Sequence, residues 1–358
     1  IICAEDEIGV SDDHGGIIVL DASIKVVIPV AELYEYYQDW IYEIGLTPNR
    51  MDAMSHYGVA KDVCAYLSYH EAPTTAVSPL TKKSIKDAAV KPFKVIIEDP
   101  NACARYSGLV IEGVKVAASP NWLKNRLQSI GVRSINNIVD ITNYILHETG
   151  QPLHAFDAHQ IKDATVVVKK YPAGTLFVTL DGTERKLTAN DLMISDTEKP
   201  LCIAGVFGGI KSGVSESTTT IFLESAWFEN IHVRKTSLLH GLRTDAATRF
   251  EKGVDIAGTV NVLERAAQMI QELAGGKCSE VVDMYPNPAT KKTVVLTYAY
   301  LKKLSGKYYP TEKVKIILTS WLYWYGRVAF LFCTCCVSVW LFVLQHIHCG
   351  VARRCIQN

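Results

Sequence analysis

An α+β fold in several modules is what this sequence predicts, on three observations. At 358 residues the chain exceeds what one hydrophobic core usually serves, so two or three modules are the better expectation. Between residues 93 and 285, strand and helix signals follow one another without the regular βαβ repeat of a doubly wound sheet. Beyond residue 320 the composition changes sharply, as if a different polymer began. Internal repeats and low-complexity segments are absent.

The elements follow from local pattern. Residues 1–28 mix short apolar pieces such as GGIIVL (15–20) with turn residues and read as β structure. A helical pattern runs from Ala31 to Tyr42. Thr47-Pro48 then signals a turn or N-cap ahead of an amphipathic helix over Met54–Leu67. His70 to Lys91, with Pro73 and Pro79 and then Pro92, reads as a linker. FKVIIED and YSGLVIEGVKV read as strands. Ser119-Pro120 is an N-cap with proline at the first helical position, and Leu123, Leu127 and Ile130 recur at helical spacing before Gly131. TVVVKK, TLFVTL, KLTANDLMIS and TTIFLESAWF read as further strands, with Asp181-Gly182 as a hairpin turn. Val260, Leu263, Ala267 and Ile270 form one stripe of a helix over Thr259–Leu273, stopped by Gly275-Gly276. Thr293–Tyr300 reads as a strand and Pro310–Ser320 as a helix.

Composition removes several function classes. Lys+Arg and Asp+Glu balance at 37 each, so no global basic field marks a nucleic-acid binder, and any such contact rests on local patches such as Lys82, Lys83 and Lys86. The opening IICAEDEIG carries acids where a signal peptide carries bases, and it lacks Met, which reads as a truncated start. Five of the ten cysteines (Cys3, Cys64, Cys103, Cys202, Cys278) are scattered without paired spacing, as in reduced cytoplasmic proteins. The other five crowd into residues 321–358, together with three of six tryptophans, and no Asp or Glu follows Glu312. Val328–Leu344 is an uncharged apolar run. It reads either as a membrane span, for which it is short, or as sequence translated out of frame. The second reading is preferred, so no membrane partner is expected unless that run is real.

The stretch Arg133–Asp157 is the first place to look for a site. Asp140, Thr142 and Asn143 sit among Ile138, Ile141 and Ile145, and a Gly-Gln-Pro break precedes His154. Buried polar groups need partners or a ligand, since an unpaired one costs roughly 1–3 kcal/mol. Glu224 is flanked by bulk on both sides, and HGLRTDAATRFEKGVD (240–255) gathers His, Arg, Thr and Asp in a turn-rich segment. Taken singly, each has a bland reading: a satisfied core histidine, or a glutamate paired or solvated at a strand end. No phosphate loop and no nucleophile elbow is present. His147, His154 and His159, spaced seven and five apart, have no cysteine to complete a zinc set.

Five runs taken together resemble the β subunit of bacterial phenylalanine–tRNA ligase. They are EIGLTPNRMDAMSHYGVAKDVCA (43–65), IGVRSINNIVDITNYILHETGQPLHAFD (130–157), AGVFGG (204–209), LES (223–225) and HGLRTDAATRFEKGVD (240–255). They stand in family order and extend the resemblance over residues 1 to about 320. It implies that residues 1–28 end a tRNA-binding OB-fold insert, 29–70 form a helical N-terminal module and 71–92 a linker. Residues 93–285 would be a B3/B4-type editing module, and 286–320 the start of a small B5-type α/β module. Residues 321–358 fall outside the resemblance. The implied holoenzyme is an α₂β₂ ligase using ATP and Mg2+. The implied partners are the alpha subunit and tRNA(Phe), the compartment is cytoplasmic, and no cofactor or metal is expected in this chain, because the family's magnesium-linked acids would lie beyond Ser320, where the resemblance has ended.

The resemblance also assigns a pocket that hydrolyses tRNA(Phe) wrongly charged with tyrosine. Thr142 and Asn143 match residues lining it. His154, in PLHAFD, matches a residue that positions the ester or its attacking water. Glu224 matches a carboxylate that accepts a hydrogen bond from the tyrosine hydroxyl, and Thr244 and Ala246 match pocket walls. Arg133 and Gly205 are carried over as further pocket positions. A site built to bind a hydroxyl can discriminate by ~10⁴ or more, and an already activated ester needs chiefly a positioned water. On this reading Glu224 is an acceptor-only carboxylate. The competing reading is an inactive RNA- or subunit-binding scaffold.

Overall fold

The computed structural model describes residues 3–8, 14–33, 37–80, 86–87, 89–289, 297–322 and 353–356. Val328–Leu344 lies outside them, and no described helix is long and apolar enough to cross a membrane. The elements in chain order are α1 (Val30–Leu33), β1 (Gln38–Ile41), α2 (His56–His70), β2 (Lys94–Ile97), β3 (Cys103–Glu112), α3 (Asn121–Ser129) and α4 (Asn137–Thr149). They continue with β4 (Leu153–Asp157), β5 (Thr165–Lys170), β6 (Leu176–Val178), β7 (Glu184–Lys186), β8 (Leu192–Ser195), β9 (Pro200–Ile203), β10 (Phe207–Gly208) and β11 (Thr220–Phe228). Last come α5 (Asn230–His240), α6 (Asp245–Lys252), α7 (Thr259–Ala274), β12 (Lys277–Cys278), β13 (Val282–Met284), α8 (Tyr298–Ser305), α9 (Thr311–Leu322) and β14 (Arg353–Ile356). The mixed α+β class is thus the one observed.

Two compact units divide these elements. The smaller holds α1, β1, α3 and β14, with β1 and β14 paired antiparallel and Leu123 and Leu127 of α3 buried. Two expectations are not met among the described residues here. The described residues of 1–28 hold a short 3₁₀ turn at Asp6–Ile8 and no strand, so no barrel is seen among them. The helix expected over 31–42 stops at Leu33, because the aromatic and β-branched cluster around Trp40 and Ile41 suits an extended strand better.

The larger unit is built on two five-stranded sheets. One runs β12-β3-β11-β4, all antiparallel, with β13 also paired to β3. The other runs β10-β9-β8-β5-β2, antiparallel except for the β2–β5 pair. Alternation along β11 assigns its two faces. Phe222, Ala226 and Phe228, with Tyr106, Val110 and Phe156 of neighbouring strands, share one apolar core with Val166, Val168, Met193, Leu201 and Ile203 of the second sheet. Ile221 and Leu223 point the other way, where α4 and α7 cover the sheet. The predicted hairpin at Asp181-Gly182 is present between β6 and β7.

KLTANDLMIS forms two strands and not one. The Thr188 N–H donates to the Asp191 carboxylate, closing a turn that sends β7 and β8 into different sheets. α2 packs on α8 and α9 through Ala65, Leu301, Val314, Ile317 and Leu318. Tyr298–Ser305 is helical because Thr297 caps it, its hydroxyl accepting from the Tyr300 N–H. The strand expected over 293–300 is therefore wrong at Tyr298–Tyr300, while 290–296 lie outside the described residues.

Candidate active site

Glu224 and His154 meet by strand register. Glu224 of β11 lies opposite His154 of β4 on one side and opposite Gly108 of β3 on the other. Directly opposed residues present their side chains to the same face, with Cβ atoms roughly 4.5–5.5 Å apart. That face looks into the core between the sheets. Gly108 has no alternative there: a Cβ would stand 2.3 Å from the Phe222 ring, which lies over it and stacks on Phe93 at 5.5 Å.

The buried Glu224 carboxyl accepts a 2.9 Å hydrogen bond from the Tyr106 hydroxyl, two residues back along β3 from Gly108. Burial pushes its pKa from 4.5 up to about 8, with the Tyr106 hydrogen bond opposing that rise. The expectation of an acceptor-only carboxylate is thereby corrected. Near neutral pH the group is mostly the acid, which donates as well as accepts. Burial, with Glu224 adding to it, also raises the Cys103 and Cys202 thiols well above their ordinary range, so both stay protonated.

His154 is half-buried as a residue, yet its Nε2 is enclosed and has no hydrogen-bond partner in the protein. Burial lowers its pKa to about 4, so the ring is neutral at physiological pH and can accept a hydrogen bond at one nitrogen. Its ring sits edge-on to Phe156 at 4.4 Å. Gly208 of β10 closes the other side: a Cβ there would lie 3.1 Å from His154 Cε1 and 3.4 Å from Nε2.

The glycine-rich loop that carries Gly208 is tied to α6. Thr244 caps that helix, its hydroxyl accepting from the Ala247 N–H and donating to the Val206 carbonyl at 2.9 Å. Gly205, with φ of 69°, adopts a left-handed conformation, and a Cβ would come within 2.9 Å of both Phe228 and Phe250. Its role is thus close packing under the loop. Ala246 is half-buried in the first turn of α6. α4 approaches the same turn, since His147 lies 3.9 Å from Asp245, and Asn143 shares the His147 face one turn earlier.

Three other positions singled out in the sequence have settings of their own. The Thr142 hydroxyl donates to the Val139 carbonyl of its own helix. Arg133 is exposed and belongs to the smaller unit. The polar character of Asp140, one reason the segment stood out, is structural: its carboxylate accepts from the Ser119 hydroxyl and the Ile135 N–H. Tyr106, Gly108 and Gly208 were missed, and only the strand register reveals them. Among the described residues, no three His, Cys, Asp or Glu side chains gather as a metal set.

The B3/4 domain family matches residues 102–275, which contain Tyr106, His154, Gly208, Glu224 and Thr244. The phenylalanine–tRNA ligase beta subunit of Bacteroides fragilis is 50% identical over 325 residues, covering 89% of this chain and 39% of that protein. That of Bacteroides thetaiotaomicron is 48% identical over 321 residues, with the same coverage of 89% and 39%, and that of Salinibacter ruber 43% over 318, with 87% and 38%. The chain thus spans about two fifths of the length of the curated relatives it matches. A solved N-terminal fragment of the phenylalanyl-tRNA synthetase beta-subunit from Pyrococcus horikoshii aligns at a TM-score of 0.37 and 16% identity over 79% of each chain.

Proposed function

The chain belongs to the phenylalanine–tRNA ligase beta-subunit family, and from that premise we propose that its 93–285 region hydrolyses the ester of tyrosine mistakenly joined to tRNA(Phe). The observation that carries this is the opposed pair of Glu224, buried, and His154, its Nε2 enclosed, on one face of a sheet within the B3/4 match. Glu224 meets the tyrosine hydroxyl through the carboxyl oxygen that Tyr106 leaves free. Neutral His154 holds the attacking water or the ester carbonyl through Nε2. Because an aminoacyl ester is already activated, positioning supplies most of what the step needs, and no covalent nucleophile is called for. Thr244 acts at one remove, holding the Val206 carbonyl and hence Gly208 against His154. Asn143 and Ala246 line the approach.

We further propose that the whole protein works with an alpha subunit, as α₂β₂, in charging tRNA(Phe) with phenylalanine, with ATP and Mg2+ serving the holoenzyme. A second reading, an inactive RNA- or subunit-binding scaffold, is favoured by one observation: the Tyr106 hydroxyl already occupies a Glu224 oxygen. Deacylation of Tyr-tRNA(Phe) and Phe-tRNA(Phe) by the purified chain separates the two. An active site requires faster loss of tyrosine, slowed by H154A and made unselective by E224A. No hydrolysis in the parent chain would leave the scaffold reading standing.

A further inference from the structure

A cleft of about 360 Å³ opens between α5 and α6. Arg234, Arg243 and Lys252 line it against a single carboxylate, Glu251. Such a volume falls at the small end of ligand sites, roughly 300–1,000 Å³. The cations are exposed, and among the described residues none of the three has an ion-pair partner. Elsewhere in this unit the described arginines are engaged: Arg50, Arg105, Arg185 and Arg265 with carboxylates, and Arg249 with the Met54 carbonyl. Arg234 and Arg243 stand apart in leaving their guanidinium forks open, and such forks match phosphate oxygens in bidentate geometry.

The cleft is also wired to the candidate active site. Thr248, in its wall, donates its hydroxyl to the Thr244 carbonyl at 2.9 Å, one turn along α6. Thr244 in turn holds the loop whose Gly208 borders His154. One helical turn is a rise of about 5.4 Å, so a polyanion seated in the cleft lies next to the elements that build the pocket. We propose that this cleft holds backbone phosphates of the RNA whose esterified end enters the Glu224–His154 site. This rests on the editing reading for the identity of the RNA, and on the cleft alone for its chemistry.

The test is binding of uncharged tRNA(Phe) to the full chain across a salt series. R234A/R243A should weaken binding about tenfold or more and flatten the slope of log K against log salt by roughly two, one for each cation removed. R234K/R243K, which keeps both charges, should retain the slope and guards against mere misfolding. Unchanged affinity and slope in the alanine variant would overturn the proposal. So would an equal loss for polyglutamate, which would make the cleft a site for acidic protein. Tyrosyl-adenosine, which has no backbone phosphate, should be hydrolysed equally by the parent and the alanine variant. If the parent leaves that ester intact, the editing reading fails by itself, and a salt-dependent loss of tRNA binding still upholds the cleft.

Discussion

Replacing Glu224 with glutamine should make the protein more stable, and increasingly so as pH rises. Glutamine keeps an oxygen for the Tyr106 hydroxyl and nearly the same shape, but it cannot ionise. The glutamate has an ordinary pKa of 4.5 and is raised to about 8 in the fold, chiefly by burial. The folded state therefore holds its proton more tightly than the unfolded chain does. Below pH 4.5 both states are protonated and the group carries no penalty. As pH climbs from 4.5 towards 8, the unfolded chain gains by ionising and the folded chain does not. Stability then falls by about 1.4 kcal/mol per pH unit. The loss levels off above the folded value, with an upper limit of about 5 kcal/mol and roughly 3 kcal/mol at neutral pH. Urea denaturation of both proteins at pH 5, 6, 7 and 8, followed by tryptophan fluorescence, reads this directly. The glutamine variant should gain on the parent at each step. A difference that stays constant over the whole range would refute the buried, proton-binding Glu224.

Three further substitutions test the surroundings of the pair. Y106F deletes the donor to Glu224 and should cost roughly 1–3 kcal/mol; it also shifts the parent's pH-dependent loss to higher pH, since that hydrogen bond lowers the Glu224 pKa. Denaturation at several pH values checks both effects. G208A places a methyl 2.9 Å from Leu180 Cδ1 and 3.1 Å from His154 Cε1. It should destabilise by about 1–3 kcal/mol and slow Tyr-tRNA(Phe) deacylation, and an unaffected rate would detach the loop from the site. N136A removes a cap whose side chain accepts from the Ile138 and Val139 N–H groups, so thermal melting should report a loss of about 1 kcal/mol without any change in tyrosine selectivity.

Much of the larger unit was legible because its signals are local. The apolar stripe Val260, Leu263, Ala267 and Ile270 marks α7, glycine marks its end, and Asp-Gly marks the β6–β7 turn. Where local pattern misled, another local signal outweighed it. Trp40 and Ile41 turned an apparent helix into β1, and the Asp191 cap divided KLTANDLMIS. What could not be read was register. Whether Glu224 faces Gly108 and His154 or their neighbours depends on a one-residue choice between strands far apart in sequence. Tyr106 therefore carried no mark of its own, sitting in YSGLVIE as one more aromatic in a strand.

Burial depth was equally hidden, and it changes the chemistry. A strand-end glutamate in sequence is a surface carboxylate by default; enclosed between two sheets, Glu224 becomes a weak acid with a pKa of about 8. That alters the discrimination to be expected of the proposed pocket. A charged carboxylate left unpaired by phenylalanine would be penalised heavily, whereas a neutral carboxyl already partnered by Tyr106 loses only about 1–3 kcal/mol when the ligand hydroxyl is missing. The ratio of Tyr-tRNA(Phe) to Phe-tRNA(Phe) hydrolysis near pH 7 should accordingly be on the order of 10 to 100, well short of the ~10⁴ that sites built around a hydroxyl can reach. Y106F, by freeing the second oxygen, should widen that ratio. A parent ratio near 10⁴ at neutral pH would mean that substrate binding ionises Glu224, and it would overturn the neutral-acid account.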